Sequence, residues 1–393
     1  MSQLPWHDAL TTELAQLQAQ QRYRRTMVRE GAQGPRVVVE GKTLLSFCSN
    51  DYLGLAADPS IRAAFCQAVA EEGVGAGAAH LLGGHSQYHH QLALALAAFT
   101  GQQRVLLFSS GYQANLAVLA GLLTAGDSLI QDKLNHASLL DGGRLSGATM
   151  RRYPHLDMAA LQRRLTAVDS HTRCMIATDG VFSMDGDTAP LAEMMSLAEQ
   201  YRAAVLVDDA HGFGVIGHEG RGTVSFSQWT GTMPIQVGTF GKAFGTGGAF
   251  IAADEVVIET LIHSARPYIY TTAIPPAIAA ATIQSLKIVR AAEPQRAHLQ
   301  QLIMQFRAGA KALGLSVLPS ITAIQPIVLG EVTKVMGCYQ QLKAKGILVG
   351  AVRPPTVAKG KARLRVTLSA AHTEQDVATL LTALEETVCA ILK

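Results

Sequence analysis

Apolar and polar positions change rhythm along this chain of 393 residues. Near the start, Leu10, Leu14 and Leu17 recur at helical spacing within residues 8 to 25, with Arg22, Arg24 and Arg25 following. Arg36-Val37-Val38-Val39, a Glu40-Gly41 turn and Thr43-Leu44-Leu45-Ser46-Phe47 then read as a hairpin. From about residue 50 strands and helices alternate. Apolar runs without two-fold alternation recur at Val105–Phe108, Cys174–Ala177, Ala204–Val207 and Gly248–Ala253. Strands apolar on both faces belong in a sheet covered by helices on both sides. Helical stretches span residues 113–124 and 191–201, and Pro275-Pro276 opens long helices that run to about residue 311. Strands return at 324–329 and 363–368, and a last helix, N-capped by Thr373, runs to about Leu392. The pattern predicts a large α/β domain over residues 50–285 and a smaller α+β domain built from 1–49 and 286–393.

Composition narrows the class. A chain 48% hydrophobic and only 16% charged is not a disordered one. Its 33 basic and 30 acidic residues balance to +3 with no basic run, so neither nucleic acid nor an anionic membrane is an expected partner. The cysteines (Cys48, Cys66, Cys174, Cys338 and Cys389) are scattered, with no CxxC pair to suggest a disulfide framework or a thiolate metal site. Trp6, His7 and Asp8 stand where a secretory signal would need an apolar run. The uncharged stretch from Val105 to Gly126 is interrupted by Ser109-Ser110-Gly111, Gln113 and Asn115, which makes it a strand, a turn and a helix rather than a membrane span. A cytoplasmic globular enzyme is the expectation.

Several motifs fail on context. Gly73-Val74-Gly75-Ala76-Gly77-Ala78 matches a dinucleotide GxGxxA, but helical periodicity over Pro59 to Glu72 precedes it where a strand is required. Gly41-Lys42-Thr43 lacks the upstream glycine of a P-loop, since Arg36 occupies that place. His80, His85, His89 and His90 crowd together without HExxH or a cysteine, and no metal is expected there.

One constellation survives. Asp208-Asp209-Ala210-His211-Gly212 closes an apolar strand, at the sheet edge where doubly wound folds bind ligands. Thr239-Phe240-Gly241-Lys242 follows the strand candidate Ile235-Gln236-Val237, and its lysine lies among Gly245, Gly247 and Gly248. A lone lysine among small residues suits a Schiff-base amine, because desolvation favours the neutral nucleophile. Pyridoxal 5'-phosphate (PLP) chemistry requires such a lysine, a carboxylate at the pyridine nitrogen and a phosphate cradle. Ser109-Ser110-Gly111-Tyr112-Gln113 offers the cradle at a helix start, and His136 in Asn135-His136-Ala137-Ser138 can stack on a ring. Asp209 has a plainer reading, as the cap of the following turn.

This set resembles the α-oxoamine synthases, a fold-type I family of PLP-dependent enzymes, over nearly the whole chain. The resemblance rests on Ser49-Asn50-Asp51-Tyr52-Leu53-Gly54-Leu55, Ser110-Gly111-Tyr112, the Gly180 to Asp187 segment, the two strand-end segments above, Arg353-Pro354-Pro355-Thr356 and the stretch from Leu364 to His372. It implies a large, mostly parallel seven-stranded sheet with a smaller α+β domain, and a homodimer. It further implies that Lys242 carries PLP and moves the Cα proton, that Asp208 pairs with the pyridine nitrogen, and that His136 stacks on the ring. By the same likeness His211 and Ser183 meet the ring oxygen. Gly111, Tyr112 and Thr239 hold the phosphate, with Thr271 or Thr272 of the partner subunit. Asn50 and Arg365 fall at the amino-acid carboxylate, and Arg24, Arg353 and Thr356 at the acyl substrate.

Within the family, the Ser183-Met184-Asp185-Gly186-Asp187, Arg353–Thr356 and Leu364–His372 segments are most similar to the branch that joins L-alanine to a pimeloyl thioester in biotin synthesis. The acyl carrier is CoA or a carrier protein. Open alternatives are a glycine and acetyl-CoA ligase, 5-aminolevulinate or sphingoid-base synthases, an aminotransferase and, from another class, a dinucleotide-binding module. Two departures stand out: the Gly75 to His80 loop lacks the family's serine, and Tyr112 replaces the commoner phenylalanine.

Overall fold

A computed structural model describes residues 5–389. It divides into two compact units, a larger one of residues 50–183 and 187–297 and a smaller one that holds the chain up to Ser49, the triplet Met184–Gly186 and the chain from His298 on. The smaller unit takes β1 (Arg29–Glu30), β2 (Arg36–Val39) and β3 (Lys42–Phe47). The larger unit takes β4 (Arg104–Phe108), β5 (Ser128–Asp132), β6 (Thr149–Tyr153), β7 (Cys174–Asp179), β8 (Ala204–Asp208), β9 (Ile235–Thr239) and β10 (Ala249–Ala253). The smaller unit closes with β11 (Ile324–Gly330), β12 (Ile347–Val352) and β13 (Ala362–Thr367).

In the larger unit seven strands pair in the order β4-β10-β9-β8-β7-β5-β6. All run parallel except β10, which is antiparallel to both neighbours. Side chains sort by parity along the strands. Met175, Ala177 and Leu206 join one core with Val118, Leu119 and Ile251, while Ile176, Val205 and Val207 join another with Leu161, Leu191 and Met194. Both faces are therefore buried, which is why these strands read as unbroken apolar runs. Each buried Leu, Ile or Val contributes about 1.5–3 kcal/mol. A ladder hydrogen bond nets about 1, so burial on two faces rather than pairing sets the layering. β6, at the edge, keeps Arg151 and Arg152 at least partly exposed and buries only Tyr153.

The smaller unit's sheet has the order β1-β2-β3-β12-β13-β11, with β3 and β12 parallel and the other pairs antiparallel. β2 and β3 form the expected hairpin. Glu40 and Gly41 both take positive φ (52° and 71°), as a two-residue hairpin turn that keeps the strand twist requires. Arg363 on β13 donates to Met184 O (3.1 Å) and Asp185 Oδ1 (2.5 Å), and the Ser320 and Thr322 hydroxyls donate to Gly186 O, so this unit grips the triplet that follows Ser183.

Some local expectations shift. The first helix is Pro5–Ala19, ending before the arginines, and Leu10 and Leu14 remain exposed because nothing among the described residues of its unit covers that stripe. The long helical stretch is two helices, Pro276–Ala291 and Glu293–Ala312. Thr373 caps Glu374–Leu384 in a reciprocal capping box with Asp376. A π turn, Glu385–Cys389, follows, and the expected continuation to Leu392 lies outside the described residues. Among the described residues no helix is long and apolar enough to cross a membrane.

Candidate active site

Strand ends build the site. β7, β8 and β9 finish at Asp179, Asp208 and Thr239, and β4 runs into Ser110, the N-cap of helix Gly111–Leu122. Carboxyl ends of parallel strands are where open α/β sheets bind ligands. A cavity of about 220 Å³ opens there. Its wall gathers all eight predicted cofactor residues, Gly111, Tyr112, His136, Ser183, Asp208, His211, Thr239 and Lys242, and adds Asp179.

At one end the cavity is built for an anion. Ser110 Oγ accepts the Gln113 N–H (3.3 Å), while the first amides of the twelve-residue helix start at Gly111. A Cβ placed on Gly111 would stand 3.9 Å from Thr239 Cβ, so the helix start and Thr239 border one space. The Thr239 hydroxyl donates to Gly248 O (3.1 Å), which pins it across the turn that carries Lys242.

At the other end a hydrogen-bond chain links the acid to the imidazole. Asp208 accepts Asn115 Nδ2 (2.5 Å) and the Ala210 N–H (3.1 Å). The same Asn115 amide donates to Ser138 Oγ (2.8 Å), which lies 2.7 Å from His136 Nδ1. The Ser138 N–H also points at that nitrogen (3.4 Å). Nδ1 is therefore assigned as an acceptor, which leaves the ring neutral with its proton on Nε2. Burial drives the His136 pKa down in the same sense, with Asp208 opposing. Tyr112 packs edge-on against this ring (6.2 Å between centroids) and donates its phenol proton to Asp141.

His211 Nδ1 lies 2.6 Å from the Tyr52 hydroxyl, which reaches Asn50 Oδ1 at 3.3 Å, so Asn50 connects to the cavity wall through Tyr52. Asp51 accepts the Leu55 and Ala56 N–H groups and fixes that turn. Asp209 is the predicted cap: its carbonyl accepts the Gly212 and Phe213 amides and its carboxylate accepts the Thr223 N–H (2.6 Å). Gly212 and Gly222 make room for it, since a Cβ on either would come 2.0 Å from a carboxylate oxygen. Burial pushes the Asp209 carboxyl up to about 8.

In the smaller unit the structure brings three of the four predicted substrate residues of that unit together. Arg24 donates to the Thr356 hydroxyl (3.1 Å), and Arg353 to Tyr23 O (2.8 Å). Burial first, and Arg24 second, hold Arg353 below the usual arginine range. Arg365 lies on β13, where it donates to Thr367 Oγ1 (2.9 Å).

Sequence reasoning passed over Asp179, Asn115 and the Tyr52 link. Asp179 carries the signal that found Asp208, an acid closing an apolar strand; Asn115, mid-helix, has none. In the histidine crowd, as elsewhere among the described residues, no group of His, Cys, Asp or Glu is arranged to hold an ion. His80 and His85 instead share a 2.9 Å hydrogen bond, and Gly73 (φ 79°) ends the helix Pro59–Glu72 where the dinucleotide motif needed a strand.

An amine, a carboxylate, a neutral imidazole, hydroxyls and a helix N-terminus around one cavity fit PLP: an anionic phosphate, an aldehyde, a basic ring nitrogen and a flat ring. A family model for class I and II aminotransferases matches residues 42–384. The 8-amino-7-oxononanoate synthase of Cellvibrio japonicus is 52% identical over 98% of this chain and 97% of its own. A serine palmitoyltransferase from S. paucimobilis, solved with PLP and myriocin bound, matches with a TM-score of 0.94 at 30% identity over 100% of this chain and 99% of that one. The 8-amino-7-oxononanoate synthase of Francisella tularensis matches with a TM-score of 0.77 at 31% identity over 89% and 99%. The chain thus belongs to the class I and II aminotransferase family of PLP-dependent enzymes and, within it, to the α-oxoamine synthases.

Proposed function

We propose that this enzyme joins L-alanine to a pimeloyl thioester, carried on CoA or on an acyl carrier protein, to give 8-amino-7-oxononanoate, carbon dioxide and the free thiol in biotin synthesis. The observation that carries the reading is the single cavity that sets Lys242, Asp208, His136 and a helix N-terminus around one space. PLP, when bound, supplies the electron sink that makes negative charge at the alanine Cα tolerable.

The chain's own groups do the rest. The Gly111 and Tyr112 amides and Thr239 would hold the phosphate. Asp208, oriented by Asn115 and the Ala210 amide, would keep the ring nitrogen protonated. His136 would cover the ring face as a neutral imidazole, while His211 and Ser183 would meet the ring oxygen. The Lys242 amine would hold the cofactor aldehyde and, once free, would take the proton from Cα. Cα bonds to the thioester carbonyl carbon, and the thiolate leaves and takes up a proton. Loss of the alanine carboxylate as carbon dioxide returns an electron pair to Cα, which is reprotonated from Lys242. Asn50 and Arg365 hold the alanine carboxylate. Arg353, with Arg24 and Thr356, pairs with the far carboxylate of the acyl chain, the ligand that a partly buried guanidinium beside a second arginine favours. The enzyme acts as a cytoplasmic homodimer.

Incubation of the PLP-loaded protein with L-alanine or glycine, and with pimeloyl-CoA, pimeloyl carrier protein or acetyl-CoA, tests the reading by product mass. Product from alanine and a pimeloyl thioester is expected. Product only from glycine and acetyl-CoA would make the enzyme a ligase of that pair, and amino exchange with a keto acid without thiol release would make it an aminotransferase.

A further inference from the structure

Asp179 closes β7 in the cavity wall and has no role in the scheme above. It stands in register with Asp208 on β8, so two carboxylates end neighbouring strands at the same level. Their partners differ. Asp208 is held by a side-chain amide and a backbone amide. Asp179 Oδ2 accepts the main-chain N–H of His136 (3.0 Å), and its Oδ1 is buried without a hydrogen-bond partner among the described residues. His136 is the N-cap of helix Ala137–Ser146. A second tie holds the same segment to the same strand end: Asn135 donates to Ala177 O (2.7 Å) and accepts the Asp179 N–H (3.3 Å). Burial, then the neighbouring Asp208, raise the Asp179 carboxyl well above the carboxylate range, with Lys242 opposing and Asp132 adding to the rise.

We propose that Asp179 is a positioning residue for the cofactor site: its grip on the His136 amide sets the imidazole against the cavity. The inference rests on the reading of His136 as the group that covers the PLP ring.

The test compares Asp179→Asn and Asp179→Leu, each alone and in a His136→Ala background, by PLP dissociation constant and by kcat and KM for alanine. Asn keeps an acceptor for the His136 amide, so PLP affinity and kcat are expected within about threefold of the parent. Leu removes the acceptor and should weaken PLP about tenfold, the size of one lost hydrogen bond to a buried donor. In the His136→Ala background the Leu substitution should cost less than about threefold, because the group it positions is gone. Equal losses in both backgrounds, or an Asn variant as impaired as the Leu variant, would overturn the proposal. If the Leu variant does not fold, the Asn variant decides: parental affinity supports the proposal, and a tenfold loss rejects it. PLP affinity is read without substrate, so failure of the condensation assay leaves this outcome separate.

Discussion

His155→Gln cuts a clamp beside the active-site segment. His155 Nδ1 lies 3.0 Å from Asp132 Oδ1 and Nε2 lies 2.9 Å from Asp187 Oδ2, while the ring stands edge-on to Phe182 (4.5 Å). The Phe182 N–H donates to Asp187 O, so the imidazole ties the β5 end to the loop that presents Ser183. Burial alone would lower its pKa, but the hydrogen bonds it donates to Asp132 and Asp187 outweigh it and raise the pKa to about 10 from 6.5. Because the folded pKa is the higher one, the stabilisation is full below pH 6.5 and is lost as pH rises to 10. The slope across that window is about 1.4 kcal/mol per pH unit. At pH 7 the clamp contributes about 3 kcal/mol, allowing for a partly exposed ring, and at pH 9 about 1. For a cooperative unit of this size about 2 °C of Tm follows each kcal/mol. The variant should therefore melt about 6 °C below the parent at pH 7 and about 2 °C below it at pH 9. Thermal melts from pH 6.5 to 9.5 read this directly. A deficit that stays constant with pH, or grows, refutes the charged clamp.

Three further outcomes follow from single side chains. Lys242→Ala should abolish the visible absorbance of the lysine-linked cofactor, and an unchanged spectrum on PLP titration would refute that lysine. Asp209→Asn keeps an acceptor for the Thr223 amide but removes a buried carboxyl that titrates at about 8. A raised acid pKa means stability present below the ordinary value and lost as pH climbs to 8, so the parent should lose more Tm between pH 6 and 9 than the Asn variant; parallel curves would contradict the burial argument. Tyr112→Phe deletes an exposed phenol–Asp141 hydrogen bond, so PLP affinity should stay within about threefold. A tenfold loss would give the hydroxyl a role in the site.

How legible each element was depends on which forces set it. β7, β8 and β10 were readable because burial on both faces leaves unbroken apolar runs. β5 was not: Gln131 and Asp132 interrupt its apolar core, and both are buried only because Leu139 O, the Leu134 and Leu156 amides and His155 satisfy them, partners that no local pattern reveals. β6 hid for the opposite reason, as an edge strand that keeps two arginines. In the site, the residues that line the cavity came from turn motifs at strand ends, where the chemistry confines the choice of residue. Asn115 and Asp179, which hold those residues, were invisible because their task is defined by neighbours from other elements.

The three acids at the β7 and β8 ends, Asp179, Asp208 and Asp209, share burial but not partners, and the partners separate their work. Asp209 Oδ2 accepts a loop amide among close-packed glycines, a structural task. Asp179 holds the backbone of His136. Asp208 is tied through Asn115 and Ser138 to the side chain of that same histidine. His136 is thus fixed twice, at its amide by one acid and at Nδ1 by a relay from the other, so its ring cannot turn without breaking the Nδ1–Ser138 hydrogen bond. Preorganisation here is a property of the sheet edge as a whole, since Asp208 and His136, which line one cavity, are set by one connected hydrogen-bond network.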